Sequence, residues 1–308
     1  MRSIKYALAI ITLFVAQNCF AQQKAMYTQY MFNTLAINPA YSTLDESLTI
    51  TALSRHQWVG FKGAPNTQTL SLHTPIGESN TFVGAILVND QIGEVIRETG
   101  GDVSLAQRVP VGTDSYLAVG INAGTSNFGA NYSENYRVSP ASASDPLFQD
   151  QNNMRINFGW GAMLFSDKYY VGISAPFFYY RDIGSIAKSV NKAAYRPHYL
   201  LQAGYLLEIN PNLKFKPNLL VKYVNGSPTQ FDINANFLLS ETLWLGASYR
   251  SLDSFDALAS VFITPDLQVG YSYDFTNTQL AKAQKGSHEI AIKFRLPVRG
   301  RDHTACYF

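Results

Sequence analysis

A chain of 308 residues with 24 Lys and Arg against 22 Asp and Glu is close to neutral, and 46% of it is apolar, with 19 Tyr and 19 Phe. Neutrality argues against nucleic acid as a partner. Two cysteines, Cys19 and Cys306, leave no disulfide framework or cysteine metal site.

The chain opens on Arg2 and Lys5, followed by an apolar run from Tyr6 to Ala16 that is too short to span a bilayer. Small residues then stand at Cys19 and Ala21. This predicts a signal peptide over 1–21, cleaved near Ala21. Lipidation at Cys19 would need a small residue before it, and Asn18 stands there. Removing Arg2 and Lys5 takes the basic count from 24 to 22, equal to the acids.

Residues 22–47 carry Tyr30, Met31, Phe32, Leu35, Ile37 and Tyr41 in neither a helical nor a strand period, with Asn38-Pro39 fixing an extended turn. From Leu48 to Leu296 the chain alternates instead. In Phe231 to Phe237 one face carries Phe, Ile, Ala and Phe, and the other Asp, Asn and Asn, the pattern of a strand between an apolar and a wet medium. About fourteen such segments of eight to twelve residues predict an all-β, transmembrane antiparallel β-barrel. We read residues 22–47 as a non-strand plug or strap in or under the lumen of that barrel.

The connections after even-numbered strands are compact: "PIGESN", "PVGTDS", "SDK", "NPN", "SET" and "TPD". Most of those after odd-numbered strands are longer, notably Gln91 to Gly101, Gly129 to Asn153 and Phe177 to Pro197, as in outer-membrane barrels. A weak repeat comes after the short turns: "DSYLAVGIN", "DKYYVGISA", "ETLWLGASY" and "PDLQVGYSY". It reads as one hairpin unit whose small residue eases curvature. The polar faces carry Lys214, Lys216, Lys222, Glu208, Asp232, Glu289, Lys293 and Arg295, a mixed-charge interior rather than a selective ring. Residues 297–308 form a tail.

Chemical motifs are sparse, and no catalytic, cofactor or metal residue is assigned. The five histidines show no ligand spacing. His56 and His73 could face each other on the first two strands, but no nucleophile accompanies them. The loop "DPLFQDQNN", Asp145 to Asn153, matches no calcium template.

The blocks "QYMFNTLAINPAY", "RHQWVGFKGAPNTQTLSLHTPIG" and "GSHEIAIKFRLP" together resemble the PorP/SprF family of the type IX secretion system, over essentially the whole mature chain. The resemblance implies a non-enzymatic outer-membrane barrel that works with a secreted surface adhesin, in some members for gliding motility and in others within the secretion apparatus. Its partners would be outer-membrane lipid, the C-terminal domain of a type IX cargo and other secretion components. The plug or partner-binding positions are then Tyr30, Met31, Phe32, Asn33, Asn38, Pro39, Tyr41, Trp58 and Phe61, joined by Phe177, Phe178, Tyr179 and Tyr180 on a long loop. The alternative is a transport channel for small or hydrophobic solutes.

Overall fold

The computed structural model describes residues 24, 26–135, 149–183 and 195–301. The expected signal region, both cysteines and parts of two expected loops, 136–148 and 184–194, lie outside these residues. Fifteen strand segments run in chain order: β1 Leu48–His56, β2 Pro65–Pro75, β3 Thr81–Ile92, β4 Ile96–Pro110, β5 Tyr116–Ala130, β6 Gln151–Phe165, β7 Tyr169–Ile183 and β8 His198–Tyr205. They continue as β9 Leu207–Asn210, β10 Leu213–Val224, β11 Gln230–Leu239, β12 Leu243–Arg250, β13 Ser254–Thr264, β14 Leu267–Thr276 and β15 Ser287–Leu296.

The segments β8 and β9 are two pieces of one wall, interrupted at Leu206, and both pair with β10. Each wall is antiparallel to the next, and β15 pairs with β1 from Leu48↔Leu296 to His56↔His288. That pairing closes a barrel of fourteen walls, and closure removes the unpaired edges an open sheet would expose.

The burial is inverted relative to a soluble domain. Asp232, Asn234 and Asn236 are buried while Phe231, Ile233 and Phe237 are exposed. In β15 Glu289, Lys293 and Arg295 point in and Ile290, Ile292 and Phe294 point out. A bilayer removes the cost of exposing the apolar face, and most polar side chains of the inner face find partners within the barrel. Replacing Phe237 by Arg therefore places a charge in lipid. It is expected to weaken the assembled barrel by about 2 to 4 kcal/mol, read from the urea midpoint; an unchanged midpoint would mean that Phe237 does not face lipid.

At the end where β1 begins, the turn end, the connections are short, down to residues 211–212 and 265–266. At the opposite loop end the structure departs from expectation. Between β3 and β4 only residues 93–95 remain, not Gln91 to Gly101, and β7 runs on to Ile183, so Phe177 to Tyr180 belong to a strand and not to a loop. The apolar alternation stops before these strands do. Outward Asn89, Thr99 and Arg97 form their own hydrogen bonds, with Asn89 Oδ1 accepting from Thr99 Oγ1 at 2.9 Å and Arg97 Nε at 3.0 Å, while the ladder continues through Ile92↔Ile96. Glu208 also differs. The break at Leu206 leaves it exposed at the turn end, and Lys214 pairs instead with Glu241 at 2.8 Å.

Candidate functional site

The lumen is occupied by the chain's own N-terminal segment. Three short 3-10 turns, Tyr30–Phe32, Thr34–Ala36 and Pro39–Thr43, lie end to end, and nearly every residue from Tyr27 to Thr43 is buried. The last turn is set locally. Asn38 is extended and its Oδ1 accepts from Ala40 N at 3.0 Å, while Pro39 supplies the first helical φ.

The segment runs from the loop end to the turn end, and ion pairs hold it at both. Near the loop end Lys24 Nζ lies 2.6 Å from Glu98 Oε1 and donates to Tyr180 OH at 2.8 Å. Lower down, Arg55 reaches Asp274 Oδ2 at 2.6 Å and Glu289 Oε2 at 3.1 Å and donates to Thr28 Oγ1 at 2.8 Å. Glu289 in turn accepts the backbone N–H groups of Thr28 and Gln29 at 3.0 and 2.7 Å. Arg250, paired with Asp232 at 3.0 Å, donates to Tyr27 O at 3.2 Å. At the turn end Arg295 grips Asp45 through two bonds of 2.8 Å, and Arg108 donates to Thr43 O at 3.0 Å. Arg301, in the tail, bonds Glu46 Oε2 at 2.8 Å.

Between these clamps the wall is hollowed to receive the plug. A Cβ on Gly120 would lie 2.7 Å from Ala40 N and 2.8 Å from Pro39 C, one on Gly161 would overlap Asn38 Oδ1, and one on Gly172 would meet Asn38 Nδ2 at 2.9 Å. Gly270 does the same for Gln29. Gly120, Gly172, Gly246 and Gly270 are the glycines of the hairpin repeat. All four point inward, and three of them abut the plug, so the repeat carries sockets in addition to any role in curvature.

Burial raises the Asp45 carboxyl, but the Arg295 bonds and the Lys293 and Arg295 charges outweigh it and hold Asp45 well below the usual carboxylate range. A lowered native value stabilises the fold at every pH above about 4, the unfolded value, and this contribution is lost as pH falls through the lower native value. Asp45→Asn is expected to flatten that acid limb of the stability profile. An unchanged profile between about pH 4 and 2 would show that the clamp carries no linkage.

The expected site residues separate into two groups. Tyr30, Met31, Phe32, Asn33, Asn38, Pro39 and Tyr41 are all buried in the lumen. Tyr30 OH accepts from Asn234 Nδ2 at 3.1 Å, Asn33 Oδ1 accepts from Ser71 Oγ at 2.7 Å, and Tyr41 packs edge-on against His73 at 5.8 Å. Trp58 and Phe61 stand apart at the loop end, where Val59 N donates to Gly286 O at 2.8 Å; Phe61 is exposed. Phe177 packs against Tyr180 and Tyr195, and Lys24 lies over the Tyr180 ring at 4.2 Å, while Phe178 and Tyr179 are exposed. His56 and His73 do not meet: His56 pairs with Asn66 at the loop end, and His73 lies buried opposite Thr49 near the turn end.

The family model described as type IX secretion system membrane protein PorP/SprF matches residues 19–294. The chain belongs to the PorP/SprF family. No curated protein matches it. Among solved structures it is similar to the Ralstonia pickettii toluene transporter TbuX, with a TM-score of 0.52 at 10% identity, covering 86% of this chain and 94% of that one. The CymD monoaromatic hydrocarbon channel gives 0.51 at 13% identity, covering 89% and 94%. An Acinetobacter baumannii outer membrane protein gives 0.45 at 14%, covering 82% and 99%. At these identities the likeness to the first two is one of fold, and this PorP/SprF protein is an outer-membrane β-barrel of the type IX secretion system.

Proposed function

We propose that this PorP/SprF barrel is a non-enzymatic adaptor that holds the C-terminal domain of a secreted adhesin at the cell surface, with its loop end outside. The filled lumen is the observation that carries the reading. Tyr30, Met31, Ala40 and Tyr41 are at most 3% exposed in the middle of the barrel, so the loop end rests on a fixed floor rather than over a continuous pore. A rigid, preorganised platform is what a docking surface needs, since ordering it at the moment of binding would cost affinity. The aromatic group around Phe177, Phe178, Tyr179 and Tyr180 and the exposed Phe61 beside Trp58 supply side chains of the kind enriched at interfaces.

The experiment is isolation of the barrel from outer membranes, quantitation of co-purifying surface protein, and conductance of the purified protein in planar bilayers. The adaptor reading expects a bound secreted protein and no large steady conductance. A large conductance with no retained protein would favour the transport channel for small or hydrophobic solutes.

A further inference from the structure

At the loop end β7 is paired on one side only. Its ladder with β8 stops at Ser174↔Leu200, whereas its ladder with β6 resumes at Tyr179↔Phe158 and runs on to Ile183↔Met154. Between these, Pro176, Phe177 and Phe178 stand opposite Gly159 as a bulge. Among the described residues no backbone group from Tyr179 to Ile183 has a partner on the side away from β6. The upper end of β7 is a free strand edge.

Where the chain returns, it does not extend the ladder. β8 begins only at His198, after Pro197, and neither Pro176 nor Pro197 has an N–H with which to carry the β7–β8 pairing upward. Tyr195 meets β7 through its ring, against Phe177 and Tyr180. The edge itself is firmly held, since Arg155 Nε donates to Asp182 Oδ1 at 2.8 Å and the Tyr180 and Ser126 hydroxyls lie 3.0 Å apart. From Tyr179 to Ile183 it carries no proline and no bulge, and its two charges stay on its own walls, Asp182 with Arg155 and Arg181 over the Tyr179 ring at 5.2 Å. Such an edge is a template for another strand.

We propose that Tyr179 to Ile183 takes one extended strand of the protein that docks at the loop end, paired through backbone hydrogen bonds. This rests on the adaptor reading and names the mode of docking. The edge continues directly from Phe177 and Phe178, so strand and aromatic rings present one surface. Unpaired N–H and C=O groups take another backbone, which a lipid tail does not offer. A second copy does not fit. Two copies in one membrane are related by an axis along its normal, which crosses their β7 strands at about 70 to 90°, twice the usual tilt, against the roughly 20 to 25° between paired strands.

The test uses the full chain isolated from outer membranes, and the probe is the surface protein it retains. Hydrogen exchange is followed on fragments covering 177–183, with that protein bound and after it has been stripped off. In the stripped barrel the amides of 179–183 that point away from β6 are expected to exchange fast, and in the complex about tenfold or more slowly. Amides already protected in the stripped barrel, or left unprotected in the complex, overturn the proposal. Successive N–H groups of a strand point to opposite sides, so of Arg181→Pro and Asp182→Pro one breaks a bond to β6 and the other removes only a donor of the free edge. Arg181→Gln and Asp182→Asn are the controls for the lost charges. The free-edge proline variant is expected to keep the heat-unfolding midpoint of its control and to retain about tenfold less surface protein or lower still; retention equal to the control overturns the proposal. If neither proline variant assembles, exchange in the wild type decides. A wild type that retains no surface protein removes the adaptor and the strand together, whereas retention without protection at 179–183 removes the strand alone.

Discussion

Replacing Arg55 by Met is expected to cost about 3 to 5 kcal/mol of stability, because it leaves two carboxylates buried without their cation. Asp274 and Glu289 are 2% and 0% exposed, and Arg55 touches both. The loss is not that of an attraction in water but of the cation that touches both members of a desolvated pair of like charges. Arg55→Met combined with Asp274→Asn and Glu289→Gln is accordingly expected to recover most of the loss, since no buried charge remains and an amide oxygen still accepts from the N–H groups of Thr28 and Gln29. The readout is the urea midpoint at constant slope. A triple variant no more stable than Arg55→Met would show that the cost comes from lost packing and not from unpaired charge.

The second large effect is expected at the plug. Tyr30 and Tyr41 are 0% and 3% exposed, and truncating a packed aromatic to Ala typically costs about 3 to 5 kcal/mol. Tyr30→Ala with Tyr41→Ala removes contacts between the plug and walls on both sides while the β15–β1 closure is untouched. The barrel is expected to assemble, retain little surface protein and gain conductance, because the floor beneath the loop end has been loosened. Undiminished retention by an assembled variant would mean that the segment is a filler with no part in docking.

The barrel was legible in the sequence because period-two alternation survives wherever one face meets lipid. It faded where both faces are polar, in the upper parts of β3, β4 and β6, and where Pro176 and the unalternating run Phe177 to Tyr180 interrupt the period in β7, which is why these parts read as loops. Lys214, Lys216, Asp232, Glu289, Lys293 and Arg295 were placed on the inner face by that alternation alone. Their pairing was not legible, since Arg55 stands 219 residues from Asp274 and 234 from Glu289 and meets them only on closure. The aromatic N-terminal stretch was marked out by its lack of period, but its depth in the lumen was not. The glycine recurring in the hairpin repeat held that information, since a small inward residue at one level of several walls outlines the shape of what they enclose. Lys24 and Glu98 carried no sequence signal as a pair.

The plug leaves the ribosome before any wall of the barrel, and it touches walls from every quarter: Glu98 in β4, Ser174 in β7, Asn234 in β11 and Glu289 in β15. It has no complete binding surface until the last strand has paired with the first. Its contacts are thus among the most non-local in the fold, and such contacts form slowly. Made before the walls, it can complete its contacts only once they have closed. Until that closure, the rings of Tyr30, Phe32 and Tyr41 have only part of the surface that buries them in the finished barrel.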